Sequence, residues 1–450
     1  MKTNRRRFTQ LVIGVSALTL AISGCGGSDS SGGNGGNTGG GGGSDLNLPD
    51  LSGESLDVMA VWTGPEQQTF EKVIAGFEDE TGADVTYTSA GEDIATVLGT
   101  KVKGGSPPDV AVLPQPGLLA QFAESGDLKP VSADVKTLVS DNYAPIWQDL
   151  GSNSDQLYGV WVDASNKSTV WYNQPLFDQA GVTAPETWED FVSTSQTLSD
   201  SGVTVPVSLG GSDGWTLTDW FENVYIRTAG ADMYDQLANH EIPWTDPSVT
   251  TALQTLADLW SDDILVGDPA DALQTDFPGS VTNVFSADPQ SAIVYEGGFV
   301  SGVISDSSDF TVGDDAKFFP FPSVDDSDPA VVGGGDVAVQ FSDSPAAQAF
   351  LSYLASPQAA EDMVSSGIFT SANMNLDASA YPDATSKGLG QAIVEAGDNF
   401  RFDMSDLAPS AFGGTVGAGE WKALQDFLAD PSDIEGTQQT LESDAAKAFK

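Results

Sequence analysis

The chain has 450 residues and carries 65 acidic against 17 basic side chains, a formal net charge of −48. A field of that sign repels phosphate backbones, and no basic stripe with interleaved aromatics is present, so nucleic acid is a poor partner. One cysteine and one histidine, Cys25 and His240, leave no disulfide within a mature chain and no Cys/His cluster for zinc or iron, so no metal and no other cofactor is expected.

In chain order, Lys2, Arg5, Arg6 and Arg7 precede an apolar run from Leu11 to Ile22, and Ile22-Ser23-Gly24-Cys25 follows. The run is shorter than the ~20 apolar residues that span a bilayer, so the segment reads as a removable export signal. It resembles a lipoprotein leader, with 1–24 as signal peptide and Cys25 as the lipidated first residue. Arg5-Arg6-Arg7-Phe8 also resembles the core of a twin-arginine signal. Loss of the leader removes four positive charges and no negative one, taking the net charge from −48 to −52. From Gly26 to Ser44 the chain is almost wholly Gly, Ser and Asn, a coil with a reach of about 25 Å. Residues 25–50 are therefore a flexible tether. The scattered acids read as a solvated surface suited to a salty medium.

The remaining length favours two lobes, since single cores stop growing at about 250–300 residues. Leu56 to Trp62 has the pattern of a buried strand, and Thr63-Gly64-Pro65 opens a helix with proline in its first turn, where the missing N–H costs nothing. Phe70, Val73, Ile74 and Phe77 give that helix one apolar face. Val85 and Tyr87 continue as a strand, Ile94, Val97 and Leu98 as a helix, Pro108 to Leu113 as a strand, and Leu118, Leu119 and Phe122 as a helix that Gly126 ends. Alternation of this kind implies an α/β fold with a parallel sheet. Ligands of such sheets lie beyond the carboxyl ends of the strands, which puts Trp62–Glu66 and Pro114–Gly117 at a crevice.

Further on, Thr187-Trp188-Glu189-Asp190 has the form of a capping box. Asp246-Pro247 starts a helix whose Val249, Ala252, Leu253, Leu256, Ala257 and Trp260 form a buried stripe. Ser344-Pro345 and Ser356-Pro357 each read as a cap with proline at the first helical position.

Gly210-Gly211-Ser212-Asp213-Gly214 matches the Gly-x-Ser-x-Gly nucleophile elbow. A hydrolase would need His240 as its base and an acid squeezed into Asp219, Asp232 or Asp235, on a helix and its exit; a glycine-rich turn at a helix start fits better. A glycosidase pair among 65 acids is not singled out by any pattern. The aromatics are more informative. Trp62, Trp161, Trp171, Tyr172, Trp188, Trp215, Trp220, Tyr295 and Phe299 fall among polar residues, and flat aromatic faces suit the C–H faces of a sugar while planar polar groups take its hydroxyls. Core packing is the alternative for each tryptophan singly.

Several segments, in order, resemble the extracellular solute-binding proteins of carbohydrate ABC transporters, the maltose-binding-like family. They are Leu157-Tyr158-Gly159-Val160, then Val170-Trp171-Tyr172-Asn173-Gln174-Pro175-Leu176-Phe177-Asp178-Gln179-Ala180-Gly181, Ala184-Pro185-Glu186-Thr187-Trp188, Tyr295-Glu296-Gly297-Gly298-Phe299, and Gly333-Gly334-Gly335-Asp336. Gly214-Trp215-Thr216-Leu217-Thr218-Asp219-Trp220-Phe221-Glu222-Asn223 and His240-Glu241-Ile242-Pro243-Trp244 are closest to alpha-glucoside-binding members. Ala287 to Ala292 departs from them. The resemblance runs from about Leu56 to Thr370.

It implies a two-lobed periplasmic-binding-protein fold with a central cleft and hinge crossings, lobe one from 51–163 plus 317–345 and lobe two from 164–316 plus 346–450. It implies ligand contacts from Trp62, Glu66, Gln115, Asp163, Lys167, Trp215, Asp219, Trp220, Glu296, Phe299, Gly335 and Asp336. Trp215 and Trp220, five apart on one helix, would face different ways, one on sugar and one buried. The implied protein is no enzyme. It is an exported, lipid-anchored monomer that captures a neutral sugar, an alpha-glucoside or other oligosaccharide, and delivers it to permease subunits, touching the membrane only through its lipid. A polyol or peptide binder, or a glycan-acting hydrolase, is the alternative.

Overall fold

Strands from the N-terminal third of the chain and a later strand, Val337–Gln340, build the first of two cores. The computed structural model describes residues 46–396 and 400–449; the leader, Cys25 and the Gly/Ser run lie outside the described residues. Leu46 and Leu48 already pack against the first core, so the tether expected to run through residue 50 gives way to folded chain by Leu46.

The first core surrounds a five-stranded sheet, in the order Asp84–Ser89, Ser55–Ala60, Val110–Leu113, Val337–Gln340, Gly159–Trp161. The first three strands run parallel, and Val337–Gln340 is antiparallel to both of its neighbours. Val110–Leu113 is buried along its whole length, the signature of a strand covered on both faces. Helix Gly64–Thr81 buries Phe70, Val73, Ile74 and Phe77 and ends at Gly82 in a left-handed conformation, φ 75°, which glycine adopts without a Cβ penalty.

A four-stranded sheet, in the order Ala316–Pro320, Thr169–Asn173, Ile293–Tyr295, Val207–Ser208, lies in the second body. Two hydrophobic clusters flank it. Helix Trp215–Ala229 runs through this body and buries polar Thr216, Thr218, Asp219, Glu222, Asn223 and Arg227 together with its apolar residues. Helix Pro247–Trp260 packs beside it and buries the stripe that ends at Trp260. Thr187, Asp246, Ser344 and Ser356 each accept a backbone N–H at a helix start, which satisfies one of the otherwise orphaned donors there.

The lobe boundaries differ from expectation at two places. Strand Ala316–Pro320 pairs with Thr169–Asn173, and Phe319, Phe321 and Val332 lie in the second core, so the return to the first body comes only near Val337. Helices Pro345–Leu354 and Pro357–Val364 carry Ala347, Phe350, Leu351 and Met363 into the first core, whereas 346–450 was expected whole in lobe two. Their apolar faces match helix Gly64–Thr81, where Phe77 and Phe350 meet at 5.0 Å between ring centroids. Residues from Met404 onward do return to the second core. The crossings lie side by side: the Val162 N–H donates to the Asp336 carbonyl at 2.8 Å and the Ala164 N–H to the Thr370 carbonyl at 3.0 Å.

Candidate functional site

A cavity of about 180 Å³ opens where the two bodies face each other. Trp62 arrives at the carboxyl end of strand Ser55–Ala60, packed against Phe70 at 4.9 Å and Phe369 at 5.2 Å, and Glu66 follows in the first helical turn. Gln115 stands at the start of helix Pro116–Glu124. Both positions lie beyond the carboxyl ends of parallel strands, where an open α/β sheet leaves a crevice. Asp163, Gly335 and Asp336 come from the crossings, and Lys167, Trp215 and Phe299 from the second body; all nine of these residues line the cavity.

Trp215 begins its helix because Gly214 holds φ 85°, and a Cβ at Gly214 would stand 2.8 Å from the Trp421 Cβ. Glycine is required there on both counts. The Trp215 ring meets Phe277 at 5.4 Å and Phe299 at 5.9 Å, and the Lys167 ammonium lies 5.7 Å from its centroid, within cation–π range. Among the described residues, the indole nitrogens of Trp215 and Trp421, the Gln115 Oε1 and the Asp336 Oδ1 are buried polar atoms with no partner, a costly state that a hydroxylated ligand relieves.

Three residues expected at the site do not line it. Trp220 is 2 % exposed and sits in an aromatic box with Tyr295 at 4.6 Å, Phe321 at 5.7 Å and Trp188 at 6.3 Å. It faces the core because it falls on the opposite side of the helix from Trp215. Asp219, one turn after Trp215, has no exposure and accepts from Lys167 Nζ at 3.2 Å. Glu296 is buried beside it and is not part of the cavity wall.

Lys167 meets three carboxylates, Asp219, Asp403 at 2.5 Å and Asp406 at 3.4 Å. One cation cannot neutralise three buried anions, and the acids divide accordingly. Burial opposes ionisation of Asp403, yet Lys167 and the neighbouring acid groups hold it well below the usual carboxylate range. Burial pushes Asp219 well up despite Lys167, with Asp403 and Glu296 adding to the effect. Burial and Asp403 together push Asp406 up to about 8. Burial likewise raises Glu222, Glu296 and Glu420. The cluster is thus close to an ion pair, Lys167 with Asp403, wrapped in protonated acids.

Phe277, Phe369, Thr370, Asp406 and Trp421 also line the cavity and were not anticipated. Asp403, Asp406 and Trp421 lie beyond Thr370, where no family-like segment marks the chain. The available signals are local: Asp403 caps helix Met404–Leu407 by accepting the Asp406 N–H, and Trp421 stands between Glu420 and Lys422. The elbow serine is not a nucleophile. The Ser212 hydroxyl donates to the Asp213 carboxylate at 3.3 Å, and His240 is engaged by Glu442 at 3.1 Å. Among the described residues no group of His, Cys, Asp and Glu is arranged to hold a metal ion, and no helix is long and apolar enough to cross a membrane.

Two lobes joined by adjacent crossings, with an aromatic and carboxylate-lined cavity between them, define a solute-capturing protein. Residues 62–361 match the model of the bacterial extracellular solute-binding protein family, and the chain belongs to that family. It is 33% identical over 412 residues to the alpha-glucosides-binding periplasmic protein AglE of Rhizobium meliloti, covering 88% of each chain. It is 32% identical over 397 residues to the osmoprotective compounds-binding protein GgtB of Synechocystis, covering 86% of this chain and 91% of that one. In fold it is similar to the solute receptor AcbH, with a TM-score of 0.77 at 20% identity over 88% of this chain and all of that one. The chain is therefore an exported sugar- or solute-binding component of an ABC importer, and not an enzyme.

Proposed function

We propose that the chain is a lipid-anchored, monomeric receptor that captures a small neutral glucoside between its lobes and presents it, closed, to the permease. The observation that carries this reading is the composition of the cavity: Trp62, Trp215, Trp421 and Phe299 supply flat apolar faces, while Glu66, Gln115, Asp163 and Asp336 supply planar polar groups, all from segments of both bodies and their crossings. Stacked faces take the C–H surfaces of a pyranose and the polar groups take its hydroxyls. Lys167 contributes little net charge, since its cation is balanced within its own cluster, so a neutral ligand suits the site better than an anion. The alpha-glucoside and osmoprotectant relatives support a glucoside as the ligand class.

Closure follows as a population shift, because a ligand that touches both lobes binds the closed state better than the open one. The anchor rests on Cys25 and the glycine-rich tether after it.

The test is a thermal-shift screen of the mature protein against maltose, trehalose, sucrose, longer glucosides and polyols, followed by calorimetry. A cognate sugar at a hundred times its Kd stabilises the fold by about 2.7 kcal/mol. No shift with any glucoside overturns the ligand class. Cys25→Ala tests the anchor separately: the variant should appear in the soluble fraction, and membrane retention would refute lipidation.

A further inference from the structure

Asp163 and Asp336 are brought together by the backbone, not by a shared cation. Strands Gly159–Trp161 and Val337–Gln340 pair antiparallel, Trp161 against Val337, and the ladder extends through the Val162 N–H to the Asp336 carbonyl. Gly335 permits the approach, since a Cβ there would stand 2.7 Å from the Asp163 carbonyl oxygen. The Asp336 N–H then donates to Asp163 Oδ1 at 2.6 Å, which brings the two acidic residues together at the cavity wall. Neither forms an ion pair among the described residues; Lys167 is engaged by Asp219, Asp403 and Asp406. Two carboxyl groups held this close, and away from any cation of their own, favour one proton between them, as two anions in contact repel. Asp336 Oδ1 is buried and has no partner among the described residues, and both residues line the cavity.

We propose that Asp163 and Asp336 act as one recognition unit holding a single proton, so that the cavity offers a hydroxyl donor beside a carboxylate acceptor and selects an uncharged vicinal diol over a sugar acid. The inference rests on the reading of the cavity as a sugar site and adds the chemistry by which that site chooses. A diol can donate one hydroxyl to the ionised oxygen and accept from the protonated one. A ligand carboxylate would be a third negative group in the same place.

The surroundings act in the same direction. Glu66 on helix Gly64–Thr81 adds negative charge near the pair, Asp406 on helix Met404–Leu407 is protonated at neutral pH, Tyr87 on the neighbouring strand is neutral, and among the described residues Lys167 is the cation that faces it. Burial pushes Asp336 up to about 6 despite Lys167. Burial and then Asp336 push Asp163 well above the usual carboxylate range. Asp336 is therefore the first of the two to ionise, and Asp163 keeps its proton to higher pH. Loss of the proton removes the donor, so ligand affinity falls as pH rises, with a limiting slope of about tenfold per pH unit.

Two measurements test this on the whole mature protein. With aspartate labelled at its carboxyl carbon, NMR titration of the ligand-free protein should show two separated steps for the pair, assigned by their loss in Asp163→Asn and Asp336→Asn. A single step for both in the ordinary carboxylate range overturns the shared proton. Calorimetry with trehalose, sucrose and maltose, and with glucuronate as the acid control, should show wild-type affinity for a bound sugar falling in alkali and no glucuronate binding. Asp336→Asn, a permanent neutral donor, should keep its sugar affinity in alkali, while Asp336→Ala loses at least tenfold at every pH. Wild-type affinity that stays flat with pH, or an Asn variant as weak as the Ala variant, overturns the proposal. If none of the three sugars binds at any pH, the sugar reading fails, and the NMR titration still decides whether the pair holds its proton.

Discussion

Trp215 and Asp219 stand one helical turn apart on helix Trp215–Ala229, and the structure gives them different work. Trp215 presents its ring to the cavity with Phe277 and Phe299 around it, so Trp215→Ala should weaken binding of the cognate sugar tenfold to a hundredfold, about 1.4 to 3 kcal/mol, with little change in the unfolding midpoint. Calorimetry and denaturant titration on the same variant separate the two. Asp219 instead belongs to the group around Lys167, in which Asp403 is the ionised partner. Asp403→Ala leaves the buried Lys167 cation with neutral acids and should cost about 3–5 kcal/mol of stability by urea unfolding. A loss below 1 kcal/mol would show that the cation is hydrated and not paired.

The acids in this group also give stability a defined pH dependence. Asp406 titrates at about 8 in the folded protein against 3.8 as its unperturbed value. The native state therefore holds a proton the unfolded chain has lost, and the stability this contributes is present at low pH and disappears as pH rises through about 8. Asp403 works in the opposite sense, since its lowered value costs stability only when acid begins to protonate it. Urea midpoints should accordingly decline from mildly acidic to alkaline pH, and Asp406→Asn should flatten that decline. An Asp406→Asn protein with the wild-type slope would remove Asp406 as its source.

Among the elements, helix Pro116–Glu124 carries a contact between the lobes beside the cavity. Leu118, Leu119 and Phe122 anchor it in the first core, while its Gly117 lies against the carbonyl of Ala408, whose neighbours Met404 and Phe412 belong to the second. The Ser410 hydroxyl donates to Gln121 Oε1 at 2.6 Å across the same junction, and Gly414 packs on the Gln115 amide. Gly117→Val should therefore hold the lobes apart without replacing any side chain that lines the cavity. The expected result is sugar affinity reduced at least tenfold, with small-angle scattering of the sugar-saturated variant matching that of the ligand-free wild type. Full compaction with sugar would show that this junction yields during closure.

For the molecule as a whole, a net charge of −48 makes self-repulsion a standing cost of the compact state. Salt shortens the range of that repulsion from about 10 Å at 0.1 M to about 3 Å at 1 M. The urea midpoint should rise with potassium chloride across that interval. A flat response would mean that the acids are already compensated locally.

Much of this protein can be read along the chain, where the cause is local. The strand–helix alternation from Leu56 to Phe122, the prolines and caps that open helices at Thr187, Asp246, Ser344 and Ser356, and the buried stripe ending at Trp260 follow from periodicity and from backbone donors that need acceptors. So do the crevice positions of Trp62 and Gln115, because a parallel sheet has its ligand edge in one place. The tertiary structure alone decided which lobe each later segment joins. Helices Pro345–Leu354 and Pro357–Val364 went to the first core because Phe350 and Met363 find their packing partners there, a pairing that no local period encodes. It also decided that Trp220, Asp219 and Glu296 turn inward while Asp406 and Trp421 come from far along the chain to line the cavity. A sequence shows which side chains suit a sugar, but burial and the approach of distant backbone determine which of them meet it.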